Sequence, residues 1–266
     1  MSSRICLIDC DPIKYAASCV AEKKDKETEI ITVAPMEHVF YNINSMIKKC
    51  IKACGARQYV CFLTPIRESK NFRSLIYSEY KAHRKDVRKP YHLDNAHKHV
   101  LDRWRAILAV GEEADDTMSI YHCGLNPFGF DTTFDSANTV LCSIDKDFNN
   151  VPGWHYNPRK DELYFVSEIE ALRNFYFQIV AGDKADNVPR VKKGWREKET
   201  YEKLQKAETE LELYDIILEC VYTVMEKDLK DTDVLMHEGL AKDFILRNGQ
   251  LVWLRRNAGE LWALPS

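Results

Sequence analysis

What this 266-residue sequence lacks narrows its class before any motif is read. No apolar run approaches the roughly 20 residues that a membrane-spanning helix needs. The opening stretch, MSSRICLIDCD, has no long apolar core of the secretory type, because Asp9 and Asp11 interrupt it. The nine cysteines are odd in number, scattered, and contain no Cys-x-x-Cys pair. That pattern argues for reduced, mostly buried thiols in a cytosolic setting rather than for disulfides or zinc. Cys50 and Cys54 lie four apart on an expected helix, but no His or Cys partner stands at ligand spacing, which speaks against a metal there. Repeats and low-complexity tracts are absent. So is any overall excess of positive charge: 38 Lys and Arg against 41 Asp and Glu leave a net charge of −3. With 45% hydrophobic and 30% charged residues, the composition is that of an ordinary soluble globular chain with enough length for one large domain or two small ones.

The charge average hides segregation. From Arg67 to Arg105 there are 11 Lys and Arg against 5 Asp and Glu, a local +6, and four of the eight histidines fall in the same stretch. From Lys184 to Lys206 there are 8 basic against 4 acidic residues, a local +4. One such block is usually a solvated helix face. Two blocks beside acidic clusters call for a better account.

Short apolar runs and helical stripes alternate along the first two thirds of the chain. Arg4–Asp9 (RICLID) suits a buried parallel strand ending in acid. After Pro35, apolar residues from Met36 to Cys54 recur at helical steps and Gly55 supplies a stop. Gln58–Thr64 (QYVCFLT) reads as a second strand, which makes a βαβ unit. The basic segment 67–99 reads as a mobile helical or irregular excursion. Val100–Val110 is expected to be helical, with a further helix from Glu113 to Tyr121 after Gly111. Thr139–Ile144 is a third strand and Leu163–Val166 a fourth. Ser167 and Glu170 form a capping box for a helix whose apolar stripe runs to Val180. Beyond Lys192 the chain reads as mostly helical, closing on a strand-like LVWLRR at 251–256.

Four acidic clusters stand at the ends of these apolar segments: Asp9 with Asp11, Glu113 with Asp115 and Asp116, Asp145 with Asp147, and Asp183 with Asp186. Each alone reads as a turn or a helix cap. In an open α/β sheet, however, ligands bind at the carboxyl ends of parallel strands, and all four can converge on one crevice there. Like charges about 4 Å apart repel by roughly 1 kcal/mol in water and about 4 kcal/mol at an effective dielectric of 20. Nine converging carboxylates therefore imply bound cations. Oxygen donors without His or Cys favour hard ions, Mg²⁺ or Mn²⁺, and a pair of such ions can clamp both oxygens of a phosphodiester displacement.

At this point the chain resembles the flap endonuclease/5′-nuclease family. GDKADNVP (182–189) is similar to that family's Gly-Asp-x-x-Asp-Asn-Ile/Val-Pro signature; EADD (113–116) and SIDKDF (143–148) look like two further motifs in the expected order. NFRSLIYSEYKAHR (71–84) resembles the Phe-Arg…Tyr-Lys-x-x-Arg segment beside the helical arch. The small size and the LIDCDPIKYAAS opening look most like bacteriophage 5′–3′ exonucleases. The resemblance implies a PIN-like α/β core with a mostly parallel sheet over residues 1–170, carrying a basic arch-like segment near 67–99. It also implies a helical region over 171–266 with a helix–three-turn–helix that grips duplex DNA.

By position, the resemblance makes Asp9, Glu113, Asp115, Asp116, Asp145, Asp147, Asp183 and Asp186 carboxylates of a two-ion Mg²⁺ or Mn²⁺ site, with Asp9 and Asp145 central to the chemistry. Lys81 and Arg84 would act on the scissile phosphate. Tyr80 would offer a stacking face to the terminal base, and Arg73, Lys192 and Lys193 would bind substrate. The chain departs from the family pattern in two places. Leu63 stands where members carry an acid in the second strand, and Asp11 is the candidate replacement. KKGWREK after Val191 has only Gly194 where the family's potassium-binding loop has two glycines.

The implied partner is DNA with 5′ ends, flaps or nicks, or an RNA–DNA hybrid, handled by a monomer in the cytoplasm of a phage-infected bacterial cell. Two rivals explain fewer residues. DCDPI resembles the start of haloacid-dehalogenase-like phosphatases, with Asp9 as nucleophile; a non-catalytic DNA-binding protein of the same fold would account for Leu63.

Overall fold

In the computed structural model, the described residues are 4–66, 71–192, 195–226 and 234–265, and the side chains of residues 85, 226 and 234–237 are left aside. Five parallel strands and one antiparallel edge strand build the central sheet. β1 (Ile5–Asp9) lies in the middle, between β4 (Gln58–Leu63) and β6 (Thr139–Cys142). β5 (Ile107–Leu108) extends the sheet beyond β4. On the other side β7 (Gly153–Asn157) pairs with β6, and β8 (Glu162–Val166) closes that edge antiparallel to β7.

The chain leaves β1 for β4 and β5 and then returns to β6 on β1's other side. The carboxyl ends of β1 and β6 are thus a topological switch point, the place where open α/β sheets bind ligands. The central strands β1 and β6 are buried on both faces and read as continuous apolar runs for that reason. Cys6, Ile8, Cys61, Leu63, Val140 and Cys142 pack on one face, against α1 (Cys10–Val20), α2 (Met36–Ala53) and α4 (Leu93–Trp104). Leu7, Phe62 and Leu141 pack on the other, against Ala114 and Met118 of α5 (Ala114–Gly124).

A third cluster forms around α6 (Glu168–Ala181), α8 (Glu210–Glu226) and α9 (Val234–Val252), with Phe175, Ile179, Leu213, Ile217 and Ile245 buried together. α7 (Glu197–Leu204) lies between α6 and α8 in the chain. A short α3 (Phe72–Ile76) packs on α9.

Several elements differ from the sequence expectation. Helix α1 follows β1 without a loop because Asp9 itself caps it, accepting the Asp11 amide at 3.1 Å. A hairpin, β2 (Glu22–Lys24) with β3 (Ile31–Val33), then joins α1 to α2. The helix expected at 100–110 begins at Leu93 and ends at Trp104, with Arg105 in the left-handed region (φ 54°). Ile107 and Leu108 instead pair with Phe62 and Leu63, so strand pairing overrides the helical stripe. β7 has no helical or alternating signature of its own. The strand expected at 251–256 is the end of α9 and an irregular tail; the Leu251 and Trp253 carbonyls are taken up by the Arg73 guanidinium at 2.8 Å each, which ends the helix. The described part of 67–99 holds α3, a 3₁₀ turn at 82–86 and the start of α4, while residues 67–70 lie outside the described residues.

Candidate active site

Asp9 and Asp145 end the two neighbouring strands β1 and β6, and Ser143 ties them together. The Ser143 hydroxyl donates to Asp9 Oδ2 at 2.8 Å and accepts the Asp145 amide at 3.0 Å. Asp145 also caps the 3₁₀ turn that carries Asp147, accepting the Asp147 amide at 3.0 Å. Asp11, in the first turn of α1, reaches sideways across the sheet: its Oδ2 accepts the Thr64 amide at 3.1 Å, at the end of β4. Leu63, where an acid was expected, is fully buried in the core. The carboxylate at the end of β4 is therefore that of Asp11.

The third cluster opens α5. Glu113 caps the helix and is boxed with Asp116, while the Thr64 hydroxyl accepts the Ala114 amide at 2.9 Å and locks this terminus to β4. The fourth is the loop after α6. Gly182 (φ 66°) turns the chain where a Cβ would sit 2.6 Å from the Val188 carbonyl, so no other residue fits. Asp183 and Val188 bond in both directions, at 3.1 and 2.7 Å, and pinch off a small loop. Within it, Asp183 Oδ1 accepts the amides of Ala185 (2.6 Å) and Asp186 (3.1 Å).

The basic segment docks on these acids. Lys81, in the left-handed region (φ 54°), donates its amide to the Asp186 carbonyl at 2.9 Å. Its ammonium lies 2.6 Å from Glu113 and 3.3 Å from Asp186. Arg84 reaches Asp186 Oδ1 at 2.6 Å, and Asn187 (φ 59°) donates to the Glu79 carbonyl at 2.8 Å.

A cleft of about 930 Å³ is lined by Asp9, Asp11, Glu113, Asp115 and Asp145 together with Lys81 and Arg84. A narrow space behind it is lined by Asp115, Asp147, Asp183 and Asp186. Asp115 belongs to both, so three of the clusters meet in the cleft and Asp115 joins it to the fourth.

The electrostatics follow from this crowding. Burial first, and then Asp11, pushes the Asp9 carboxyl up to about 7. Burial and Asp145 push Asp147 up to about 7, and burial with Asp116 and Glu113 raises Asp115 well above the usual carboxylate range. Glu113 goes the other way: although burial opposes it, Lys81 and Arg73 hold its carboxyl down to about 2. Ammonium groups lie on two further acids, Lys14 on Asp11 at 2.5 Å and Lys146 on Asp183 at 3.4 Å. The carboxylates stand farther apart than ligands of one dehydrated ion would: among the described residues, no three of them bring oxygens within 4.8 Å of one another. That spacing suits ions that keep part of their water shell, as Mg²⁺ does.

Three expected site residues have other duties. Asp116 is fully buried and both its oxygens are held by Arg73, at 2.5 and 2.8 Å, with the Arg255 amide on Oδ1 at 3.3 Å. It anchors Arg73 rather than facing the cleft. Arg73, expected on the substrate, is 1% exposed and joins α3, α5 and the end of α9. Tyr80, expected to stack on a base, is 6% exposed; its hydroxyl donates to Glu113 at 2.8 Å and to Asp186 at 3.0 Å, bridging the two clusters. Burial hides all three from any inspection of the sequence.

Lys192 lines a separate groove of about 400 Å³ with Trp195, Arg196 and Lys203 of the basic block 184–206. Lys193 and Gly194, and with them the potassium expectation, lie outside the described residues. Residues that the sequence did not single out are Ser143, Thr64, Lys14 and Gln178, whose amide donates to Asp147 at 2.9 Å. Only Lys14 carried a signal, its i+3 spacing from Asp11 on α1.

This architecture and crevice define a class: the chain has the fold of the phage 5′-exonucleases. Two solved structures carry the comparison. The T5 D15 protein co-crystallised with metal ions is 15% identical, with 94% of this chain and 89% of that one covered at a TM-score of 0.60. A mutant of the T5 5′-exonuclease is likewise 15% identical, covering 94% and 87% at a TM-score of 0.54. No family model matches the sequence, and no curated protein matches it. No helix of the described residues is long and apolar enough to cross a membrane.

Proposed function

We propose that the chain is a divalent-metal-dependent 5′–3′ nuclease that hydrolyses DNA phosphodiesters at junctions of duplex and single strand. The observation that carries this reading is the meeting of carboxylates from β1, α1, α5, β6 and the 182–189 loop at the switch point of the sheet, with Lys81 and Arg84 on their rim. The donor set fits hard divalent ions, since it is all carboxylate oxygen and already attracts ammonium groups to four of its members. Asp9, Asp11, Glu113, Asp115 and Asp145 would hold one part of a two-ion site, and Asp147, Asp183 and Asp186 the other. Asp11 takes the place of the acid missing at Leu63. Bound there, Mg²⁺ or Mn²⁺ would supply an activated water and charge neutralisation at the phosphate.

The protein's own groups do the rest. Lys81 is a point charge and Arg84 a fork, and both can turn from Glu113 and Asp186 to a phosphate entering the cleft. Tyr80 and Gln178 hold the orientation of Glu113, Asp186 and Asp147. The groove beside Lys192, Arg196 and Lys203 would hold the duplex backbone, so that binding weakens steeply with salt. On this reading residues 1–170 are the nuclease core and 171–266 the duplex-gripping region, and the chain acts as a monomer.

Cleavage of end-labelled flap, nicked, blunt and RNA–DNA duplexes with Mg²⁺ or with EDTA is the decisive experiment. Short products from the 5′ end that require the metal are expected. Cleavage that survives EDTA, or no cleavage of any of the four, would overturn the reading.

A further inference from the structure

Below the carboxylate crevice the core holds a second cluster of possible ligands, of opposite chemical character. Cys6 on β1, Cys142 on β6 and Cys54 at the end of α2 are all fully buried. Their sulfurs lie 3.3 Å (Cys6 to Cys142), 3.3 Å (Cys54 to Cys142) and 3.7 Å (Cys6 to Cys54) apart. Among the described residues this is the one set of three His, Cys, Asp or Glu side chains whose donor atoms all approach within 4.8 Å. Cys50, one helical turn before Cys54, is also fully buried, although its sulfur is not one of the three that all lie within 4.8 Å. None of the cysteines is in a disulfide.

We propose that Cys6, Cys54 and Cys142, with Cys50 completing the set, bind one structural Zn²⁺. The geometry points to this ion. At a Zn–S distance of about 2.3 Å, the sulfurs of a tetrahedral site stand about 3.75 Å apart, so the trio need open by only a few tenths of an ångström. An ion about 2.3 Å from all three would stand roughly 1.2 Å out of their plane, which leaves an apex for a fourth ligand. Cys50, one turn before Cys54 on α2, would turn its sulfur toward that apex when the ion enters, and its Cys-x-x-x-Cys spacing with Cys54 is within zinc-ligand range.

Charge is also provided for. Zinc with three or four thiolates is an anion, and burying it unpaired is costly. Arg4, 7% exposed, donates to the Cys54 carbonyl at 2.7 Å and brings its guanidinium to the cluster's edge. The cysteines coordinate as thiolates, so binding releases their protons to solvent and changes no oxidation state.

Cys6 and Cys142 each lie three residues before an acid of the crevice, Asp9 and Asp145, and on β1 that is about 10 Å along the strand. The site would fasten the two central strands to α2 directly beneath the proposed catalytic ends. Thiolates select zinc and carboxylates select magnesium, so the two sites would not exchange ions.

The test begins with the full chain produced in zinc-supplemented medium, purified under reducing conditions and dialysed against EDTA. Metal analysis is expected to find one zinc per chain, and refolding with Co²⁺ in its place should give the strong near-ultraviolet thiolate-to-cobalt band. Cys142→Ser should lose the zinc, while Asp145→Asn keeps it. Should Cys142→Ser fail to fold, refolding of the wild-type chain decides: a higher Tm and yield with zinc than without is expected. Zinc-free protein whose Tm and refolding ignore zinc would overturn the proposal. So would a cobalt form without the thiolate band, or zinc lost in Asp145→Asn.

Discussion

At the scale of single residues, two kinds of charge meet at the crevice and respond oppositely to mutation. Asp145 is exposed and only caps a short turn, so Asp145→Asn should abolish Mg²⁺-dependent cleavage while thermal stability and DNA binding persist. Full cleavage by this variant would remove Asp145 from the site. Lys81→Ala should slow cleavage by at least tenfold, because the ammonium shared by Glu113 and Asp186 is lost; an unchanged rate would show that Lys81 has no part in the chemistry. Arg73 behaves differently. Replacing it with Met leaves the fully buried Asp116 carboxylate unpaired, at a cost of about 3–5 kcal/mol. A urea midpoint for Arg73→Met equal to that of the wild type would contradict the structural role assigned to it. Arg73 thus acts through stability, although the motif around it looks like a substrate contact.

At the scale of elements, the packing of α5 against β7 makes the fold sensitive to acid. His122 on α5 is fully buried, donating to the Pro152 carbonyl at 2.9 Å and accepting from Thr139 at 2.8 Å. Gly153 (φ 114°) opens β7 beneath it, where a Cβ would lie 2.4 Å from the ring. Burial, and then His155, pushes His122 down to about 3; burial pushes His155 down to about 4. Both folded values lie below the ordinary histidine value of about 6.5, so the unfolded chain binds more protons at mildly acid pH. Stability is complete above about pH 6.5 and falls as the pH drops toward 4. At pH 5 each ring accounts for a loss of about 2 kcal/mol. Equal urea midpoints at pH 5 and 7.5 would mean that neither ring is held neutral.

At the scale of the whole molecule, the crevice stores repulsion that a cation relieves. A ligand that binds the folded chain at 100 times its dissociation constant adds about 2.7 kcal/mol. Saturating Mg²⁺ should therefore raise the Tm by several degrees, and Asp145→Asn should reduce the rise. A Tm indifferent to Mg²⁺ would indicate that the acids are held together by the protein's own cations, Lys14, Lys81, Arg84 and Lys146 among them.

The sequence by itself determined the strands that end in acid, because β1 and β6 are buried on both faces and so appear as unbroken apolar runs. It also determined the capping box of α6 and the tight turn at Gly182, both local hydrogen-bond patterns. Only the tertiary structure decided how the acids are shared out. Asp116 is drawn inward by an arginine 43 residues away, and Asp11 is carried to the end of β4, 53 residues on. Tyr80 turns from an apparent stacking face into a bridge between Glu113 and Asp186. The cysteines show the same division. Their burial was legible from their scatter, but spacing along the chain made Cys50 and Cys54 look partnerless. Parallel pairing sets Cys6 and Cys142 on adjacent strands, 136 residues apart in sequence, and packs α2 over them. Pairing register and side-chain direction are properties of the packed sheet, and no local pattern encodes them.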